Sequence, residues 1–195
     1  IAAILLACWV FLESPAVSTA ETFFGYRSHT TKHFLIRSHG TAAEVQGLGE
    51  RCEDLLAELK AKWFDEAASA EGWMPRCELI VHRNTASYLR EVPGGERTVG
   101  SSWIETQRGR VVTRRIDVRG DQIDWFEGTM PHELMHVLLA DFVEKPMPRW
   151  AEEGLALLSD PRPKQEMHDH DFRRDAAAQR HFRLVELLPA AEYPA

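Results

Sequence analysis

The feature that most constrains this 195-residue chain is the run His132-Glu133-Leu134-Met135-His136, which lies in an apolar stretch with helical periodicity. Residues four apart lie on one face of a helix, so the two histidines can present imidazole nitrogens to one metal ion. Glu133 would then lie beside the metal. There its carboxylate can deprotonate a metal-bound water molecule, whose pKa falls from ~15.7 toward ~7. The pattern predicts a catalytic zinc site.

A catalytic zinc site needs a third protein ligand and leaves one position for water. Two adjacent carboxylates, Glu152 and Glu153, follow His136 at the start of a second predicted helix. Glu153 shares a helix face with Trp150 and Leu157, and we expect this face to be buried against the first helix. Glu153 is therefore the predicted third ligand.

Two further residues bear on the second predicted helix. Pro148 suits a first-turn position, where its missing N–H is not needed. Gly154 has no side chain, so we expect it to let the two helices approach closely beside the ligand. The alternative interpretation is that H-E-x-x-H occurs by chance on an ordinary amphipathic helix. The acid-bearing helix that follows at a workable distance favours the metal site.

These stretches resemble the zincin metallopeptidases, specifically the gluzincins of the peptidase MA-like and aminopeptidase-N-like families. Residues 150–156, W-A-E-E-G-L-A, are similar to the W-x-x-E-G-x-A element in which the Glu before the Gly binds zinc. The resemblance implies an α+β, zincin-like fold with a small mixed β-sheet, an active-site helix bearing H-E-x-x-H and a following helix bearing the third ligand. It implies zinc bound by His132, His136 and Glu153, with Glu133 as general base toward a peptide or protein substrate.

The resemblance does not extend to every element of these families. The chain has no G-A-M-E-N-like element for recognising a free amino terminus. Gluzincins usually take a Tyr or His from beyond the second helix to stabilise the oxyanion, and no position in the sequence matches that role. Two alternatives therefore stay open: a non-catalytic peptide- or cell-wall-binding domain with the zincin fold, and a hydrolase for a non-peptide amide.

Composition indicates a globular protein, with 44% hydrophobic and 27% charged residues. We expect residues 21–195 to form one catalytic domain, incomplete at its C-terminus. A net charge of −7 argues against a nucleic-acid partner, because phosphate binding needs a concentrated basic face. The sequence does not indicate an oligomeric state.

The first twenty residues read as a signal peptide. An apolar run over residues 1–12 is followed by Ser18-Thr19-Ala20, which fits a small-x-small cleavage pattern. No initiator Met or basic segment precedes it, so we expect the sequence to be truncated at the N-terminus. The prediction is an exported protein (secreted, periplasmic or cell-surface), associated with a membrane only if the apolar segment is retained as an anchor.

Export would leave Cys52 and Cys77 as a pair in an oxidising compartment. They are predicted either to form a disulfide between the first helix and a strand or to remain two separate buried thiols.

The remaining patterns predict an alternation of strands and helices. The expected elements are a strand over 32–38, a helix over 45–63, a strand over 77–82, a helix capped by Asn84, and two strands near 98–105 and 110–119. Residues 112–118 are the candidate edge strand for binding substrate backbone by β-augmentation; an ordinary half-exposed strand is the equal alternative.

Two predictions concern the ends of the metal-binding region. Thr129 is a candidate N-cap for the helix with the two histidines, because Pro131 is best tolerated in a first turn. If the helix instead begins near Asp124, Pro131 would kink it just before His132. The run His168-Asp169-His170-Asp171 lies in a polar stretch and is interpreted as solvated, although an H-x-H cluster alone suggests a metal.

Overall fold

The computed structural model describes residues 25–64, 73–143, 147–180 and 183–188, so the predicted signal peptide lies outside the described residues. No described helix is long and apolar enough to cross a membrane. The elements in chain order are β1 (Arg27–Thr30), β2 (Phe34–Ser38), α1 (Ala42–Phe64), β3 (Cys77–His82), α2 (Thr85–Glu91), β4 (Gly100–Gln107), β5 (Arg110–Arg119), α3 (Trp125–Phe142), α4 (Arg149–Ser159), α5 (Arg162–Ala177) and α6 (Leu184–Leu187).

The five strands form one mixed sheet in the order β1-β2-β3-β5-β4. The two outer pairs, β1 with β2 and β4 with β5, are antiparallel, whereas β3 pairs in parallel with both β2 and β5. Helices α1 and α3 pack against the sheet and against each other. The expected α+β class with a mixed sheet is confirmed.

Helix α1 follows the predicted apolar stripe. Val45, Cys52, Leu56 and Leu59 recur at helical spacing and are all buried in the core. Cys52 is a free thiol, as is the fully buried Cys77 of β3, so the predicted disulfide is wrong and the alternative of two buried thiols holds. Burial raises the pKa of both thiols, which therefore stay protonated and pack as small apolar groups.

Helix α3, which carries the two histidines, begins at the alternative start near Asp124 and not after Thr129. It starts at Trp125, after Asp124 in the left-handed conformation at φ +58°, and Pro131 lies inside it. Thr129 is therefore an interior residue and not the N-cap. The extra turns bring Phe126 and Met130 into the core, and their burial compensates for the hydrogen bond that Pro131 cannot donate.

Helix α5 was not predicted, because its sequence lacks an apolar stripe. None of its residues is buried. Its surface instead carries ion pairs one turn apart, Arg162 with Glu166 at 2.9 Å and Arg173 with Asp169 at 2.8 Å. Such pairs add a few tenths of a kcal/mol each (~0.2–0.5) to an exposed helix.

The sheet order corrects the prediction for residues 112–118. Strand β5 lies inside the sheet: it pairs antiparallel with β4, and its residues 115–119 pair in parallel with β3, so it is not the edge strand. Strand β4 is the edge strand beside α3. Strand pairing between segments distant in sequence decides which strand is outermost, and the local pattern did not contain that information.

Strand β4 approaches α3 most closely at Gly100. A Cβ atom on Gly100 would lie 2.4 Å from Thr129 Cγ2 and 2.9 Å from Glu133 Cγ. Both distances are below van der Waals contact, so only glycine fits between this strand and the helix.

The substitution Gly100→Ala should therefore destabilise the protein by about 1–3 kcal/mol, the usual range for overpacking. Gly154→Ala is the matched control, because a Cβ atom there meets nothing within 4 Å and alanine has the higher helix propensity by up to ~1 kcal/mol. Urea denaturation measures both. Equal stability of Gly100→Ala and wild type would contradict the close approach.

Candidate metal centre

Three side chains from two helices converge at one point. Helix α3 places His132 and His136 one turn apart on the same face, and α4 places Glu153 opposite them. Glu153 Oε2 lies 3.4 Å from His132 Nε2 and 3.8 Å from His136 Nε2. All three donor atoms lie within 4.8 Å of one another.

This donor set fits a zinc ion in kind and in spacing. Imidazole nitrogen and carboxylate oxygen are both zinc ligands, and tetrahedral ligands ~2.0–2.1 Å from the metal lie about 3.3 Å from each other. The two distances from Glu153 Oε2 are close to that value. Small side-chain adjustments would bring the three donors onto a common ion.

The second carboxylate oxygen of Glu153 has a different partner. Arg149 Nη2 donates to Glu153 Oε1 at 2.7 Å, one helical turn away. The hydrogen bond with His132 and the nearby positive charges lower the pKa of Glu153, against the effect of its partial burial. Arg149 thus orients the carboxylate so that Oε2 alone faces the histidines.

The opposite edges of both imidazole rings also face carboxylates. His136 Nδ1 lies 3.2 Å from Glu152 Oε1, and His132 Nδ1 lies 3.4 Å from Asp160 Oδ2. An ionised carboxylate can only accept a hydrogen bond, so a neutral ring that donates to it here carries its proton on Nδ1. In that tautomer Nε2 keeps its lone pair for a metal.

Glu133 lies beside the three donors and is 8% exposed. Burial raises the pKa of its carboxyl group, while the two histidines and a hydrogen bond with Ser102 of β4 act in the opposite direction. The carboxylate is therefore held next to the site and away from bulk water, in an environment that increases its basicity.

A cavity of about 520 Å³ opens in front of these groups. Residues 100–104 of the edge strand β4 form one wall, and Arg149, Glu152 and Glu153 form the other. A neighbouring cavity of about 600 Å³ shares His132, Glu133 and Glu153 and reaches His168 on α5. His168 Nε2 is buried without a hydrogen-bond partner among the described residues.

The predicted site residues are thus brought together: His132, His136 and Glu153 as donors, with Glu133 beside them. The role expected for Gly154 is wrong, because a Cβ atom there would meet nothing within 4 Å. The two helices would tolerate a side chain at that position.

The face of α4 that is buried also differs from the prediction. Ala156 and Ser159 are its buried residues, and they lie on the side of Glu152 and not of Glu153. Glu153 reaches the histidines from the border of the buried face, where it keeps contact with the cavity.

Sequence reasoning missed several residues around the site. Asp160, Ser102 and Arg149 carry no motif spacing that relates them to the histidines. His168 was interpreted as solvated, and the structure instead places it on a wall of the second cavity. The signal available for His168 was its position beyond the second helix, where the resemblance implies an oxyanion-binding Tyr or His.

Comparison with known proteins returns no match: no family model, curated protein or solved structure is significantly similar to the chain.

The electrostatics of His132 lead to a prediction for the metal-free protein. Burial lowers the pKa of His132, but the carboxylates of Asp160, Glu153 and Glu133 outweigh this effect and raise it to about 9. A folded-state pKa above the unfolded value of 6.5 means that protonation of His132 stabilises the fold. This contribution should be complete below about pH 6.5 and lost as the pH rises through about 9.

Urea denaturation in excess chelator across this pH range measures the effect. His132→Gln should flatten the decline in the free energy of unfolding. His170→Gln, at an 80% exposed side chain, should leave the decline as it is in wild type. A decline unchanged in His132→Gln would contradict the assignment.

Proposed function

We propose that this protein is a zinc-dependent hydrolase that cleaves peptide bonds, with a gluzincin-like site. The observation that carries the proposal is the convergence of His132 Nε2, His136 Nε2 and Glu153 Oε2 at a cavity beside the buried Glu133. A site of three protein donors that is open on one side is the arrangement of catalytic, as opposed to structural, zinc centres.

A bound zinc ion would polarise the scissile carbonyl and lower the pKa of a water molecule from ~15.7 toward ~7. Glu133 is the general base: its carboxylate accepts a proton from the attacking water. The same group then donates that proton to the leaving amine. Its raised pKa suits both steps, since a group that titrates nearer neutrality accepts and releases a proton more easily.

The edge strand β4 supports a peptide as substrate. Residues 100–104 of this strand line the cavity that contains the predicted metal ligands. An outermost strand has unpaired backbone N–H and C=O groups, which can pair with an extended peptide. A peptide added to β4 would lie between the strand and α4, with its backbone across the site.

His168 is the described residue that best fits the oxyanion-stabilising role. It lies on the helix after α4, lines the cavity shared by His132, Glu133 and Glu153, and has a buried Nε2 without a partner among the described residues. An imidazole N–H directed at the developing oxyanion would lower the barrier without contacting the metal.

Peptide hydrolysis by wild type and by Glu133→Gln tests the proposed function. Loss of a general base typically costs about 10²–10⁴-fold in rate. We expect a loss of this size in Glu133→Gln with an unchanged zinc content, because glutamine keeps the shape of the side chain but cannot accept the proton. Full activity in this variant would contradict the mechanism. A zinc-loaded wild type that binds peptides without cleaving them would indicate a binding domain.

The role of His168 is tested by His168→Ala. We expect kcat to fall by about 10²–10³-fold, as for removal of an oxyanion donor, with zinc content and KM little changed. His170→Ala is the matched control on the same helix, since the His170 side chain is 80% exposed. Equal kcat in the two variants would exclude His168 from the reaction.

A further inference from the structure

We propose that this protein has a second binding site, for a ligand that carries a phosphate group, in a cavity on the face of the sheet opposite to α1 and α3. The proposal is independent of the proposed function, because no residue that lines this cavity is a predicted metal ligand or the predicted base.

The cavity lies on the second face of the sheet. Side chains alternate between the two faces along a strand. Ile36 and Ile116 belong to the core, whereas their neighbours Arg37 and Arg115 line a cavity of about 830 Å³. Parallel strands are usually covered on both faces, and β2, β3 and β5 run parallel here. A large cavity on this face is therefore a candidate binding site.

Four arginines line the cavity, and two of them are paired with carboxylates. Arg37 Nε lies 2.9 Å from Glu78 Oε1. Arg115 Nη2 lies 3.1 Å from Glu91 Oε2, and Arg115 Nε lies 2.7 Å from Asp117 Oδ2. Each of these carboxylates thus already has a guanidinium partner.

The other two arginines, Arg83 and Arg90, have no carboxylate partner among the described residues. Arg83 precedes α2 and Arg90 lies in its last turn, so their Cα atoms are about 10 Å apart at ~1.5 Å per residue. The small residues Ala86 and Ser87 line the wall between them. Two long cationic side chains therefore flank a stretch of wall that leaves room for a ligand.

A phosphate group suits these two guanidinium groups better than a carboxylate does. A planar carboxylate is satisfied by one bidentate guanidinium group. A phosphate monoester carries a charge of about −1.5 to −2 and three acceptor oxygens, so it can accept from two guanidinium groups at once. Its charge and its acceptors thus match Arg83 and Arg90 together.

Tyr26 supplies a further hydrogen-bond donor at the cavity. Burial and the nearby carboxylates of Glu91 and Asp117 raise the pKa of Tyr26, so its hydroxyl stays protonated at neutral pH and can donate to a phosphate oxygen. Its ring lies against that of His39, with centroids 4.1 Å apart, and His39 Nδ1 donates to the backbone oxygen of Gly25 at 2.9 Å. These contacts hold Tyr26 in place.

His82 is a buried polar residue at the same cavity. It is 1% exposed, and its Nε2 lies 2.7 Å from Asp117 Oδ1. Its Nδ1 has no hydrogen-bond partner in the part of the chain that the structure describes. Buried polar atoms without a partner are rare. An atom of this kind in a residue that lines a cavity supports a ligand-binding role.

Isothermal titration calorimetry of the purified full chain with inorganic phosphate tests the proposal. We expect phosphate to bind wild type and to bind the double variant Arg83→Gln/Arg90→Gln at least tenfold more weakly, because both unpaired guanidinium groups are lost. Both arginines are exposed, so this variant should fold as wild type does. Acetate should bind wild type at least tenfold more weakly than phosphate at the same ionic strength.

The double variant Arg108→Gln/Arg110→Gln is the matched control. It removes two exposed arginines of the turn between β4 and β5 that likewise have no carboxylate partner among the described residues, and neither lines the cavity. It should bind phosphate as wild type does.

A folded wild type that binds no phosphate would overturn the site. Equal phosphate affinity of wild type and Arg83→Gln/Arg90→Gln would also overturn it, and this is the result expected if phosphate bound only at the metal centre. Equal affinity of wild type for acetate and phosphate would overturn the assignment of a phosphate group. None of these results bears on peptide hydrolysis or on zinc content, so a failure here is distinguishable from a failure of the proposed function.

Discussion

The structure depends on how four ionisable side chains, two buried and two partly buried, are brought together where α3 meets α4. His132, Glu133, His136 and Glu153 lie at the edge of a hydrophobic core, where an uncompensated charge is costly. They lie within a few ångströms of one another, so each charge is balanced by its neighbours. Opposite charges in close contact explain the raised pKa of His132 and the lowered pKa of Glu153.

The contact between α3 and α4 also determines the shape of the cavity in front of these side chains. Helix α3 fits between the sheet and α4, and Gly100 allows the edge strand to come close enough for Ser102 to reach Glu133. The strand that is outermost in the sheet is consequently one wall of the cavity in front of the two histidines and Glu153. Glu133, the three possible metal donors and an outermost strand thus lie around one cavity, and the proposed hydrolysis of an extended peptide rests on that arrangement.

The local sequence pattern predicted those elements whose own residues show the spacing of a helix or a strand. The apolar stripe of α1, the strand β3 and the facing pair His132 and His136 are of this kind. Features that depend on contacts between elements have no local pattern. They are the sheet order that makes β4 the edge strand, and the packing that extends α3 back to Trp125 despite Pro131. Helix α5 was not predicted, because its surface carries ion pairs and its sequence has no apolar stripe to bury.

The central claim is that Glu153, and not its neighbour Glu152, completes a metal site with the two histidines. Elemental analysis of the purified protein, saturated with zinc and then dialysed, tests it most directly. We expect one equivalent of zinc in wild type and in Glu152→Ala, and none in Glu153→Ala. A correctly folded wild type without zinc, or equal zinc content in the two variants, would contradict it.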